Sequence, residues 1–109
     1  MKLLVFSILL LVSFSLCTQS TTNKDVKEQA VFSCLKICKD NLQNLDYTNG
    51  PCLSDDNPNW NITDWVCDVA HSPRELIDNL PENQCSEFRE GKAHHFVEVD
   101  PSCNLIRAI

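Results

Sequence analysis

Ser33-Cys34-Leu35-Lys36-Ile37-Cys38-Lys39 is the stretch from which the fold is read. Two cysteines four residues apart on a helix project to the same side, one turn above the other. Side chains aimed in parallel are badly placed to bridge to each other, so each must reach outward to another part of the chain. The helix that carries them becomes the post to which later segments are tied.

The residues around this stretch support a helix. Val26, Ala30, Cys34, Ile37, Leu42 and Leu45 recur at helical spacing, with Phe32 and Leu35 widening the apolar stripe. Lys24, Lys27, Glu28, Lys36, Lys39 and Asp40 fall largely on the other side. Thr22 or Asn23 can cap the N-terminus, and Asp25 and Glu28 follow where the helix dipole favours acids. The pattern predicts a helix over residues 23–44.

Upstream, Met1-Lys2 is a short basic start and Leu3 to Leu16 an apolar run broken only by Ser7, Ser13 and Ser15. Such a run suits a signal-peptide core better than a membrane span, which needs about 20 apolar residues. Ser15 and Cys17 are small residues placed for cleavage before Thr18, so residues 1–17 are expected to be a signal peptide and residues 18–109 a single secreted domain. A retained anchor and lipid attachment at Cys17 are the alternatives. Against the second, Leu16 is a poor match to the small residue that bacterial lipoprotein signals carry there. Cleavage reduces the seven cysteines to six: Cys34, Cys38, Cys52, Cys67, Cys85 and Cys103. An even count in a short secreted chain reads as a disulfide framework. A zinc site is the rival reading, but no C-x-x-C pair occurs. The expected pairing joins Cys38 to Cys52, Cys34 to Cys67 and Cys85 to Cys103. The cysteine spacing matches none of the Kunitz, Kazal, EGF or knottin patterns. The Cys-x-Cys strand that accompanies such a helix in cysteine-stabilised αβ peptides is absent.

Downstream, Tyr47-Thr48-Asn49-Gly50-Pro51 is a turn sequence, because Asn-Gly supplies left-handed conformations and proline cannot continue a helix. Ser54 to Asp64 is a polar surface loop containing Trp60, and Asn61-Ile62-Thr63 within it is an N-glycosylation acceptor. Trp65-Val66-Cys67-Asp68-Val69-Ala70 alternates like a strand, with Trp65, Cys67 and Val69 on one face. Ser72-Pro73-Arg74-Glu75 has the form of a helix start, and Glu82 to Glu90 of a second short helix stopped by Gly91. Ala93 to Asp100 is β-prone, with His94, Phe96, Glu98 and Asp100 on one face and His95, Val97 and Val99 on the other. Asp100-Pro101-Ser102 signals a turn into Cys103–Ile109, giving a C-terminal hairpin. The expected fold class is therefore α+β: a small disulfide-stabilised domain with one long N-terminal helix packed on a small antiparallel sheet.

Several constellations offer chemistry. Asp55, Asn57 and Asn59 fit the first positions of a calcium loop, but the obligatory glycine is replaced by Trp60 and the bidentate acid by Val66. His71, His94 and Glu98 are ligand types for zinc or copper, without the spacing of any zinc-enzyme motif. A Cys67–His71 nucleophile would need a free thiol, and Asp68, His71 and Ser72 or Ser86 lack a G-x-S-x-G context. Trp60 and Arg74 are of the types that anchor interfaces, and an arginine in a constrained loop also resembles the bait of a trypsin-like protease inhibitor.

Nine basic and 15 acidic residues give a net charge of −6, and loss of Lys2 with the leader makes it −7. That balance argues against nucleic acid or an anionic membrane as partner. The expected function is a monomeric, cofactor-free binding module acting on an extracellular protein. The alternative is a small metal-binding or hydrolytic protein using His71, His94 and Glu98.

Overall fold

The computed structural model describes residues 22–109; the expected leader and the Thr18 junction lie outside the described residues. Thr22 and Asp25 form a reciprocal cap, each backbone N–H donating to the other's side chain at 3.3 Å, which satisfies donors that the first helical turn leaves free. The helix that follows, α1, spans Asn23–Asn41. Ala30, Cys34, Ile37 and Cys38 are buried on it, at the i, i+4, i+7, i+8 spacing of a single face. It ends three residues short of the predicted 44. Leu42 N–H tightens onto the Lys39 carbonyl, and the Cys38 carbonyl accepts instead from the hydroxyl of buried Tyr47 at 2.7 Å. Leu42, Leu45 and Phe32 are consequently exposed rather than part of the stripe.

Strands β1 (Trp65–Val69), β2 (His95–Val99) and β3 (Leu105–Ala108) form one sheet in that order. The β2–β3 hairpin is antiparallel as expected, but β1 and β2 pair in parallel, so the sheet is mixed rather than antiparallel. A parallel pair needs a long crossover connection, and residues 70–94 supply it. This connection was expected to hold two helices. No helix starts at Ser72-Pro73; the first helical turn begins at Leu76, because the Asp78 carboxylate accepts from Glu75 N–H and His71 N–H and organises the loop itself. The second expected helix is divided into a 3₁₀ turn, Pro81–Asn83, and α2, Ser86–Arg89, with Cys85 extended between them. Gly91, at φ 75°, closes α2 as expected.

Alternation along the strands divides the sheet into two faces. Trp65, Cys67, Val69, Val97 and Val99 join Ala30, Cys34, Ile37 and Cys38 in the main core beneath α1. On the outer face Val66 joins Cys85 and Ala93, with Cys52 and Phe96 packed against them. The disulfides follow these faces. Cys34 bridges to Cys67 on β1, as expected, and Cys38 bridges to Cys103 in the β2–β3 turn. The third bridge joins Cys52 to Cys85, so the expected Cys38–Cys52 and Cys85–Cys103 pairings are overturned. The reason is geometric. Cys52 forms an antiparallel bridge with Asp68, and residues directly opposite in such a pair share a face. Cys52 therefore belongs to the outer face with Cys85, while both helix cysteines point at the inner one.

Two outcomes are expected. On the chain-entropy account, losing the Cys38–Cys103 bridge, whose partners lie 65 residues apart, costs about 4.4 kcal/mol against about 3.8 kcal/mol for Cys52–Cys85, 33 apart. Non-reducing peptide mapping should recover both linked peptides, and the C38A/C103A pair should lower the urea midpoint more than C52A/C85A. Gly50 sits at φ 67°, where an added Cβ would lie 2.6 Å from Asp78 Oδ1 and 2.8 Å from the Val69 carbonyl oxygen. Gly50→Ala should cost about 2–3 kcal/mol in denaturant unfolding.

Candidate binding cleft on the outer face of the sheet

In-register pairing sets Asp68 of β1 beside Glu98 of β2, and Glu98 opposite Arg107 of β3. All three side chains line a cleft of about 320 Å³ on the outer face, walled by Val66, Phe96, Phe88 of α2 and Cys85. Arg74 closes one side from the crossover connection, and Gln84 and Arg89 complete the rim. Phe88 meets Phe96 edge to face at 5.2 Å between ring centres, and the Arg107 guanidinium lies over the Phe96 ring at 5.1 Å. Both contacts are of favourable geometry.

The two carboxylates fare differently. Glu98 is buried, and both of its oxygens accept charge-assisted bonds, Oε2 from Arg74 Nη1 at 2.8 Å and Oε1 from Arg107 Nε at 2.6 Å. Asp68 receives neither arginine. Its Oδ1 is buried without a hydrogen-bond partner among the described residues. Burial first, and the adjacent Glu98 charge second, push its pKa up to about 8, with Arg74 opposing. At neutral pH Asp68 thus keeps its proton, while Glu98 lies between two guanidinium groups.

Asp78, behind Arg74, has the opposite balance. Burial raises it, but bonds from Glu75 N–H, His71 N–H and the His71 ring together outweigh burial and hold it below the usual carboxylate range.

Of the residues singled out from sequence, the cleft contains Asp68, Arg74, Cys85 and Glu98. Arg74 is held within its own chain, with three of its five N–H groups donating to Asn79 Oδ1, Glu98 Oε2 and the Asp78 carbonyl. It does not present a free guanidinium as an inhibitor's bait would. Trp60 is half-buried against the main core and its indole N–H donates to the Trp65 carbonyl at 2.9 Å. Asn61 is exposed.

His71, His94 and Glu98 are not brought together. His71 Nδ1 lies 2.8 Å from Asp78, His94 Nδ1 lies 2.6 Å from Asp64, and Glu98 is held by its arginines. Each found a nearer partner of opposite character. Among the described residues one close group of metal-ligand atoms occurs, Cys52, Asp55 and Cys85, but its two sulfurs are bonded to each other and offer no thiolate.

Asp68, Phe88, Arg89, Phe96 and Arg107 are the cleft residues that sequence reasoning did not assemble. Strand alternation signals that Asp68 faces away from Cys67, and likewise pairs Phe96 with Glu98. Nothing local signals which strand lies next to β1.

No protein-family model, no curated protein sequence and no solved structure matches this chain.

The raised Asp68 pKa has a defined sign in stability. The unfolded chain loses this proton near the ordinary carboxylate value and the folded chain near 8. Stability attributable to Asp68 therefore falls as pH rises between about 4 and 8, then levels. Asp68→Asn, neutral at every pH, should match wild type near pH 4 and exceed it by at least about 1 kcal/mol at pH 8 in urea unfolding.

Proposed function

We propose that this chain is a secreted, disulfide-framed binding protein that engages an extracellular partner through the outer-face cleft. In this reading residues 1–17 direct export, Asn61 accepts a glycan, and the bridges hold the frame. Three disulfides fit an oxidising compartment. Among the described residues no helix is long and apolar enough to cross a membrane.

One observation carries the reading: aromatic walls and arginines converge on a half-buried acid whose buried Oδ1 has no protein partner among the described residues. Buried polar atoms are normally paired, and one without a protein partner calls for a partner of another kind, such as a ligand, an ion or a bound water. Its volume lies at the lower end for small-ligand sites or for one or two side chains of a partner. The cleft's lining side chains include no Ser, Thr, Lys or His, and its cysteine is bridged. The cleft thus offers no hydroxyl, amine, imidazole or thiol nucleophile, and Glu98 is held on both oxygens by arginines, which supports binding. The same geometry moves the expected anchor away from Trp60, which serves the core, and gives Arg74 a positioning role at Glu98.

The test is a titration of the isotope-labelled secreted protein with a mixed set of anionic, neutral and cationic aromatic fragments. Shifts should concentrate at Val66, Asp68, Phe88, Phe96 and Arg107, and Gln84→Trp, which plugs the rim, should suppress them. Shifts scattered over the surface, or untouched by Gln84→Trp, would show that the cleft is not the binding surface.

A further inference from the structure

We infer that the cleft recognises a carboxylate carried on an apolar or aromatic body. This rests on the reading of the cleft as the binding surface and names what enters it.

The first support is a charge inversion. The chain as a whole is acidic, at −6, yet three arginines, Arg74, Arg89 and Arg107, line this one cleft against two carboxyl groups, Glu98 and Asp68. With Asp68 protonated the cleft carries a surplus of two positive charges. An anion is attracted there although the rest of the surface repels it.

The second support is the inventory of free donors. Arg74 commits Nε and one N–H of each Nη to partners in its own chain, which leaves it two N–H groups on differently engaged nitrogens. Among the described residues Arg107 donates only from Nε, to Glu98, leaving Nη1 and Nη2 without partners there. Its guanidinium is oriented by the Glu98 bond on one edge and by the Phe96 ring beneath. A planar fork held in place in this way suits two-pronged recognition of a carboxylate. Arg89 donates from Nη1 to the Pro81 carbonyl and has further donors free at the rim.

The third support is the wall. Val66, Phe88 and Phe96 border the arginine fork, so an anion that enters brings apolar surface with it or leaves these rings unused. Bare inorganic anions would use the arginines alone. A cationic or amine ligand would meet the arginines first and find Glu98 already occupied on both oxygens.

Asp68 supplies a regulator. It is faced by Glu98 from β2 and by Arg74 and Asp78 from the crossover connection, with Arg89 and Arg107 across the cleft. Loss of its proton, near pH 8, cancels half of the positive surplus. Carboxylate affinity therefore declines from pH 7 to pH 9, a range in which simple carboxylates and arginines do not change charge.

The experiment uses the full secreted protein and 3-phenylpropionate, its amide and phenethylamine as probes, followed by titration of the Val66 and Phe96 amide signals. The carboxylate should bind at least about tenfold more tightly than the amide, and Arg107→Gln should remove about tenfold or more. Arg89→Gln, at an exposed residue, should weaken binding about threefold and guards against misfolding of the first variant. Wild type should lose about three- to tenfold in affinity between pH 7 and 9, and Asp68→Asn should remove that loss.

A phenylalanine-terminated peptide, compared with its C-terminal amide, separates the two sources of such a group. Tighter binding of the peptide acid than of 3-phenylpropionate assigns the carboxylate to a protein terminus; equal binding assigns it to a free small acid. If the amide or the amine binds the cleft as well as the carboxylate does, the ligand class is overturned while the cleft stands as a binding surface. If no probe shifts the cleft signals, both readings fall.

Discussion

Strands β1 and β2 run parallel and in register, so Cys67 lies beside Val97 and Asp68 beside Glu98. Side chains alternate along each strand, so this one register sorts both faces together. The inner face becomes Trp65, Cys67, Val69, Val97 and Val99, which α1 covers. The outer face receives Val66, Asp68, Phe96 and Glu98, which line the cleft. A slip of one residue in β2 would place Phe96 and Glu98 under the helix and expose Val97 and Val99. The core and the charged cleft are consequences of the same pairing.

The disulfides protect that arrangement by dividing the work between the faces. Cys34 and Cys38, one turn apart, fasten α1 to β1 and to the β2–β3 turn, spanning the sheet from its first strand to its last connection. Cys52–Cys85 fastens the outer layer, where little apolar area is buried and α2 is only four residues long. A helix of that length is not stable alone. The bridge at its first turn and the Phe88–Phe96 contact keep it over the sheet.

Electrostatics in the cleft follow from an unequal division of partners. Two arginines and two carboxylates could have formed two pairs, yet Glu98 takes both guanidinium groups and Asp68 takes none. A shared central carboxylate holds Arg74 and Arg107 from opposite sides and ties the crossover connection to β3. The cost falls on Asp68, which keeps its proton because an ionised carboxylate there would be buried beside another. Asp78 meets burial with three donors and stays ionised.

The amino-acid sequence by itself determined the elements and much of their polarity. A cap at Thr22 or Asn23, the stripe through Ala30, Cys34 and Ile37, the turn at Gly50, the alternation of Trp65–Val69 and His95–Val99, the Gly91 stop and the final hairpin are local patterns. Local patterns are legible because neighbouring residues alone satisfy them. Even the Cys34–Cys67 bridge follows from a helix face meeting a core strand. Tertiary structure decided the rest. Parallel pairing of β1 with β2, the Cys38–Cys103 and Cys52–Cys85 bridges, and the breakup of both expected helices in 70–94 depend on which distant segments adjoin. The same holds for the cleft. Arg74, Asp68, Glu98 and Arg107 are far apart in the chain, and no spacing rule links them. His71 and His94 illustrate the converse, since residue types alone suggested a metal site, while their nearest neighbours in space are Asp78 and Asp64. What a titratable side chain does is set by which group reaches it first, and that is a property of the folded chain.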